Sequence, residues 1–393
     1  MTAEAAPSQT FAHSGKFFNV LGLALKNAGL TIITLTMYRF WARTAMRRRL
    51  WSRTFVMGDP LEYTGSASEL FRGFLISLPC FFLPAIFVFY IAPYAIEPVY
   101  AGWLTFGFYV LSVPLVAAAR YWMRRYQLSR TRWRGIKLGL AGSAWGFATA
   151  SWGWWVLQLL SLGWYTPAAR INRARQMWEN TRFGDQPFQF EVEHGESPQK
   201  GMWWAFAFGW VTFAIALVGA PIAAAFVQRY LVTTELFDSS PEAYSIAYGL
   251  IGLGVLLIWG LAWLICWAPY NAAAMNRIAS LITIDGARFK LKARTISLFI
   301  FTLFGWLIVI LSLGLLAPVA GFLQVRYILN RLELVDTPRF AEIGQSVLRD
   351  SDSGESLGDA FDLDMGVGVI WPAGSPAKAS RAWCMWTRPP IGG

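Results

Sequence analysis

A lysine and an asparagine interrupt the first long apolar segment of the chain. Lys26 and Asn27 lie in the middle of a run that is otherwise apolar from Phe17 to Tyr38. A charged side chain near the centre of a membrane segment costs at least ~2.5–3.5 kcal/mol unless it is paired or hydrated. Together with Thr31, about one helical turn further on, the pair predicts a polar cavity. The alternative is that Lys26 reaches the membrane surface and Asn27 caps a helix break.

Arginines form the second chemically notable pattern, because they are clustered and lack acidic neighbours. Residues 39–53 and 120–137 contain Arg and Lys but no Asp or Glu. Such side chains attract anionic lipid headgroups, or they serve only to orient the chain in the membrane. The sequence therefore predicts membrane lipids, anionic ones in particular, as partners; it leaves a homo-oligomer open and gives no sign of nucleic-acid binding. The candidate headgroup contacts are Arg43, Arg47, Arg48, Arg170, Arg173 and Arg175.

Catalytic and metal-binding patterns are missing from the sequence. A zinc site requires three or four ligands at regular spacing, and neither the histidines (His13 and His194) nor the cysteines (Cys80, Cys266 and Cys384) have it. We find no phosphate-binding glycine loop, nucleophile elbow or metalloprotease helix. We therefore expect no enzymatic activity and no cofactor.

Composition indicates the class of protein that carries these residues. The chain is 55% hydrophobic and only 15% charged, and it contains 21 Trp, whereas a soluble domain is about 25% charged. The apolar residues form runs near the ~20 residues that a membrane-spanning helix needs. These features predict an all-α polytopic membrane protein. The runs are Phe17–Tyr38, Phe71–Ile91, Val99–Ala119, Leu138–Tyr165, Met202–Val227, Ile246–Tyr270 and Ile296–Val325.

One pattern occurs three times: an apolar run, a short turn, a basic helix, and then an Asp close to a Pro. In the first two copies, Leu35, Tyr38 and Arg43 keep the spacing of Leu162, Tyr165 and Arg170. Such regularity indicates duplicated structural units. Short alternating segments beside each copy predict cytoplasmic β-strands that flank the repeats. The predicted repeat turns contain Asp59 and Pro60, Asp185 and Pro187, and Asp336 and Pro338.

The distribution of charge predicts the topology. Lys and Arg next to membrane segments remain cytoplasmic, and the connections 92–100 and 229–245 are instead poor in basic residues. All basic stretches can be cytoplasmic only if the repeat runs enter and leave on the same face. We therefore favour two transmembrane hairpins and three re-entrant segments, with both termini cytoplasmic in a bacterial inner membrane; the alternative is that the repeat segments span. Candidate breaks in the re-entrant runs are Asn27 with Gly29, Gly153 and Gly305.

These patterns divide the chain into repeats, hairpins and tails. The repeat architecture favours a transport or channel-like function, and the alternative is a lipid-interacting scaffold with a basic cytoplasmic face. The predicted units are an N-terminal tail (1–10), repeat 1 (11–70), a transmembrane hairpin (71–121), repeat 2 (133–195), a second hairpin (202–271), repeat 3 (286–345) and an acidic, then irregular, C-terminal tail (346–393).

The first copy also carries a family resemblance. Residues 11–65 read FAHSGKFFNVLGLALKNAGLTIITLTMYRFWARTAMRRRLWSRTFVMGDPLEYTG, and residues 354–366 read GESLGDAFDLDMG. These stretches resemble the YjgN-like family of bacterial inner-membrane proteins, in which an apolar run with an internal Asn precedes a turn and an Arg helix. Met37 replaces the family's turn glycine. The resemblance covers about 11–366; it implies an inner-membrane protein and assigns no chemistry. The matching positions are Asn27, Tyr38, Trp41, Arg43, Thr54, Gly58, Tyr63 and Gly65.

Overall fold

The protein is mostly helical, and some of its helices are long and apolar. The computed structural model describes residues 11–233, 241–335 and Gly344. Three helices in this part of the chain, Pro98–Ser129, Trp203–Arg229 and Tyr248–Leu281, are long and apolar enough to cross a membrane. Most of their apolar side chains are exposed, as expected for helices that face lipid. Asp336, Pro338 and the predicted tails lie outside the described residues.

The helices are numbered in chain order. Their bounds are α1 (Phe17–Ile33), α2 (Arg39–Trp51), α3 (Ala67–Ser77), α4 (Leu83–Ile86), α5 (Ala92–Ala95), α6 (Pro98–Ser129), α7 (Ala144–Leu160), α8 (Thr166–Glu179), α9 (Trp203–Thr233), α10 (Pro241–Leu281), α11 (Thr295–Leu311) and α12 (Ala317–Leu329).

The second apolar run is helical but divided into short pieces. Helices α3, α4 and α5 are linked by wider π-helical turns at Leu78–Phe82 and Phe87–Ile91. Pro79, Pro84 and Pro93 lie in this stretch. A proline removes an amide donor and clashes with the preceding turn, so the helix widens locally.

Short strands separate the helices, and each pairs with its neighbours in antiparallel order. The strands are β1 (Phe11–His13), β2 (Thr54–Val56), β3 (Asp59–Tyr63), β4 (Thr131–Trp133), β5 (Ile136–Leu140), β6 (Thr181–Phe183), β7 (Gln186–Pro187), β8 (Gln189–Phe190), β9 (Ile282–Ile284), β10 (Ala287–Leu291) and β11 (Leu332–Leu334).

The strands form a curved ladder that we call the strand ring (β1–β11). Strands β1 to β7 pair in sequence, and β8 to β11 pair in a second sheet. Phe188 alone separates β7 from β8, so one stretch of chain joins the two sheets. The first strand also approaches the far part of the second sheet, since the Phe11 ring of β1 lies 6.1 Å from the Phe289 ring of β10, the strand next to β11. Each helical connection therefore starts and ends at this ring.

Threonines mark the point where a helix gives way to a strand. The hydroxyls of Thr54, Thr131 and Thr181 donate to carbonyls four residues back, at 3.0, 2.8 and 2.7 Å. These bonds occupy carbonyls that the last helical turn leaves without partners. Trp51 Nε1 also donates to Thr131 Oγ1 at 3.0 Å and so ties two parts of the ring together.

The two Asp–Pro sites that lie within the described residues occupy β-hairpins. Sequence patterns place them between a helix and a strand, whereas Asp59 and Pro60 belong to β3, and Asp185 follows the turn residue Gly184 between β6 and β7. The turn between β2 and β3 is Met57-Gly58, with φ of 49° and 90°. Positive φ at both central residues is the conformation that suits a two-residue hairpin.

The predicted helix breaks are wrong. Asn27, Gly29, Gly153 and Gly305 all lie inside uninterrupted helices, and each of α1, α7 and α11 has 17 residues. A backbone break in lipid would leave polar groups without partners, whereas a glycine inside a helix costs only about 1 kcal/mol. The chain reverses after each of these helices instead.

Candidate functional site

The turns that follow α1, α7 and α11, at the ends of the predicted repeat runs, share one hydrogen-bond pattern. In the first copy the Thr36 amide donates to the Thr31 carbonyl at 2.7 Å. The Tyr38 amide donates to Thr34 Oγ1 at 2.9 Å. The Oγ of Ser161 and of Ser312 accepts the equivalent amide in the other copies, at 2.9 and 3.0 Å. The amides of the turn are therefore satisfied within the turn itself.

The tips of these turns are apolar and exposed. Leu35 is 83% exposed, Leu162 is 75% exposed and Leu313 is 93% exposed. A turn in water is normally rich in polar residues. An apolar surface combined with satisfied amides is what a turn surrounded by hydrocarbon requires.

The strand ring borders an apolar cavity of about 260 Å³ that is partly open. Its size is near the lower end of small-molecule sites, which are roughly 300–1,000 Å³. Residues from nearly every strand contribute, and seven of the lining residues are aromatic. The larger polar side chains in the wall are Arg124 and Gln127. The apolar lining is Phe11, Leu50, Trp51, Val56, Leu61, Leu128, Trp133, Leu138, Trp178, Phe183, Phe188, Ile284, Phe289, Val325, Leu329 and Leu332.

A second cavity, of about 200 Å³, lies between α1, α2 and α12 and shares Trp51 and Gln127 with the first. Asn27 and Thr31 line it, and Asn27 Nδ2 donates to the Ala42 carbonyl at 3.4 Å. Lys26 does not line this cavity and is exposed on the outer face of α1. The predicted polar site is therefore divided, with the amide and the hydroxyl inside and the ammonium outside.

The candidate headgroup arginines occupy different environments. Arg43 and Arg47 line the second cavity, while Arg48 Nη2 donates to the Gly65 carbonyl at 2.9 Å. Arg175 Nε lies 4.0 Å from Glu179 Oε1.

Arg170, one of the candidate headgroup arginines, is buried in the structure. Arg170 Nη1 donates to Asn271 Oδ1 at 3.0 Å, and its guanidinium lies 4.9 Å from the centre of the Tyr270 ring. The periodicity of α8 does not indicate that α10 packs on this side.

His13 is buried where β1 meets β2. Its Nδ1 lies 3.1 Å from Thr54 Oγ1, and its ring packs edge-on against Phe322. Burial, followed by the nearby positive charge of Arg326, lowers the pKa of His13 to about 4. The imidazole is therefore neutral at neutral pH and acts as a packing residue of the ring.

The family is established by comparison with known proteins. A family model described as a bacterial protein of unknown function (DUF898) matches residues 8–361. The chain belongs to this family. It is the YjgN-like family, so the resemblance noted in the sequence is confirmed. No curated protein and no solved structure matches the chain.

The features of the structure that could bind a ligand are the apolar cavity and the arginines. Within the described part of the chain, His, Cys, Asp and Glu side chains do not form a group of three that could hold a metal ion. In the sequence, the ring cavity is indicated by an aromatic residue two positions after the threonine that follows a helix, as in Thr131-Arg132-Trp133 and Thr181-Arg182-Phe183. These three-residue strands are too short for periodicity to reveal.

Proposed function

We propose that this chain is an integral protein of the bacterial inner membrane that binds the acyl chain of a membrane lipid in its strand ring. Three apolar, membrane-length helices support the membrane location. The apolar cavity of the ring supports the ligand class. The finer arrangement that we propose has two spanning hairpins (α3–α6 and α9–α10) and three shorter hairpins that enter and leave on the cytoplasmic face.

The short hairpins support this arrangement through their ends. Because strands at both ends of each hairpin belong to one ladder, both ends lie at the same level. Strands with unpaired edges are not stable in hydrocarbon, so we assign the ring to the water-facing side of the membrane. The basic stretches 39–53 and 120–137 are next to the ring and favour the cytoplasmic side.

The cavity favours a hydrocarbon ligand on energetic grounds. An apolar space is unfavourable for water, which needs polar partners, and such spaces bind apolar ligands. Each buried methylene contributes about 0.8 kcal/mol. An acyl chain is long, narrow and abundant next to the ring, so it is the ligand that suits the space best.

Filling the cavity tests this proposal. We expect the protein, purified in mild detergent, to retain a stoichiometric lipid, and we expect Leu138→Trp to lose it because the larger ring occupies the cavity. The matched control is Leu157→Trp on the exposed surface of α7, which should retain the lipid. The measurement is the lipid content per chain by mass spectrometry. Equal lipid content in the two folded variants would contradict the proposal.

Transport is the second candidate function, and one observation favours it. The ring cavity and the arginine-containing cavity between α1, α2 and α12 share wall residues, including Leu50 and Val325. Adjacent cavities with a common wall offer a possible direction of movement as well as a site. Movement of a fluorescent lipid between the leaflets of reconstituted vesicles would favour transport, and retention without movement would favour binding alone.

A further inference from the structure

Arg120 of α6 and Arg173 of α8 lie near the buried Arg170 beside α10, and neither Arg120 nor Arg173 has an acidic partner within the described residues. Arg173 of α8 is within electrostatic range of the like-charged Arg170 and Arg120. Over the described ranges, neither Arg120 nor Arg173 takes part in a hydrogen bond, an ion pair or a ring contact. The Nε atom of Arg173 is shielded from solvent and has no partner in that part of the chain.

The third arginine is held firmly in position. Arg170 is buried, bonded to Asn271 and stacked over Tyr270, as described above. This anchoring places a fixed positive charge beside Arg173. The cluster therefore combines the fixed guanidinium of Arg170 with those of Arg120 and Arg173, whose N–H donors remain available to a ligand.

The arrangement is costly as it stands. A buried charge loses its hydration, and like charges nearby disfavour it further. An anion between the guanidiniums would offset both effects at once. Guanidinium groups present planar pairs of N–H donors that match the oxygens of phosphate, so this chemistry fits the cluster better than a simple halide.

We propose that Arg120, Arg170 and Arg173 bind a phosphate-bearing anion. Its source is either the phosphodiester headgroup of an anionic lipid or soluble phosphate from the aqueous side. The site is separate from the ring cavity, although Arg124, one turn after Arg120 on α6, lines that cavity. The anion site stands whether or not an acyl chain occupies the ring.

Thermal unfolding of the delipidated, purified protein tests the proposal with two probes. One probe is inorganic phosphate, and the other is phosphatidylglycerol in nanodiscs, with phosphatidylcholine nanodiscs for reference. We expect at least one probe to stabilise the wild-type chain, and we expect Arg173→Gln to weaken its binding about tenfold or more, since a charge-assisted hydrogen bond is lost. The matched control is Arg288→Gln, at an exposed arginine of β10, which should bind normally.

The outcomes separate the two sources and can overturn the site. Stabilisation by inorganic phosphate identifies a soluble anion, and stabilisation by phosphatidylglycerol alone identifies a headgroup. If Arg173→Gln does not fold, Arg120→Gln gives the same comparison. The proposal is overturned if neither probe stabilises the wild-type chain, or if Arg288→Gln loses as much affinity as the cluster variant.

Discussion

Replacing the leucine at the tip of the third repeat, Leu313→Asp, is expected to reduce sharply the yield of inserted, folded protein. Leu313 is 93% exposed at an apolar turn, which we assign to the hydrocarbon region of the membrane. A carboxylate there would cost up to ~2.5–3.5 kcal/mol at the bilayer centre and less towards the interface. This is a large fraction of the stability of a typical folded protein, roughly 5–15 kcal/mol. Membrane fractionation and thermal unfolding in detergent measure the effect.

Tyr94→Asp provides the matched control for that experiment. Tyr94 is 92% exposed and lies at the end of α5, in the connection that we assign to the water on the far side of the membrane. The carboxylate there should be tolerated, because it remains hydrated. If the two variants insert and melt alike, the tips of the repeats lie in water and the re-entrant arrangement is wrong.

Gly209→Ala is expected to destabilise the hairpin formed by α9 and α10. A methyl group at this glycine would lie 2.6 Å from the carbonyl oxygen of Cys266 on the neighbouring helix. The obstacle is backbone, so the helices must separate, at a cost of about 1–3 kcal/mol from overpacking. This cost outweighs the gain of up to about 1 kcal/mol that alanine brings to a helix. We expect a lower melting temperature in detergent and a lower yield.

Gly219→Ala is the control within the same helix. A methyl group at Gly219 meets nothing within 4 Å, so only the helix-propensity gain remains, and the melting temperature should stay constant or rise. The close contact between α9 and α10 would be refuted if the two substitutions shifted the melting temperature in the same direction by the same amount.

Local patterns in the sequence predict the coarse fold class, but they do not predict the strand ring. The apolar runs predict helices, and the motifs in residues 11–65 and 354–366 indicate the family. By contrast, the strand ring depends on pairing between segments far apart in the chain, such as Phe11–His13 with Thr54–Val56. Alternating patterns predict short strands beside the repeats, but they do not indicate which strands pair, and so neither the ladder nor its cavity can be derived from local patterns.

The sequence-based interpretations of Arg170 and Gly305 differ from the structure for a common physical reason. Helical periodicity indicates which residues share a face, but it does not indicate what packs there. Arg170 has the charge of a surface residue, yet it meets Asn271 and Tyr270 of α10. Gly305 has the sequence of a helix break, yet it is buried inside α11 against Ala320 of α12, whose Cβ would lie in ordinary contact, at 3.5 Å, with a methyl group on this glycine. Tertiary contacts decide both cases.

Labelling of single cysteines in intact bacterial cells tests the central arrangement most directly. Cys80, Cys266 and Cys384 are first replaced by Ser, and one cysteine is then introduced as Asp185→Cys in the strand ring or Glu97→Cys in the connection before α6. A membrane-impermeant maleimide should label the Glu97→Cys variant in intact cells once the outer membrane is permeable to it. The Asp185→Cys variant should react only after the inner membrane is opened. Strong labelling of Asp185→Cys in intact cells would contradict a cytoplasmic ring and the return of the three repeats to one face.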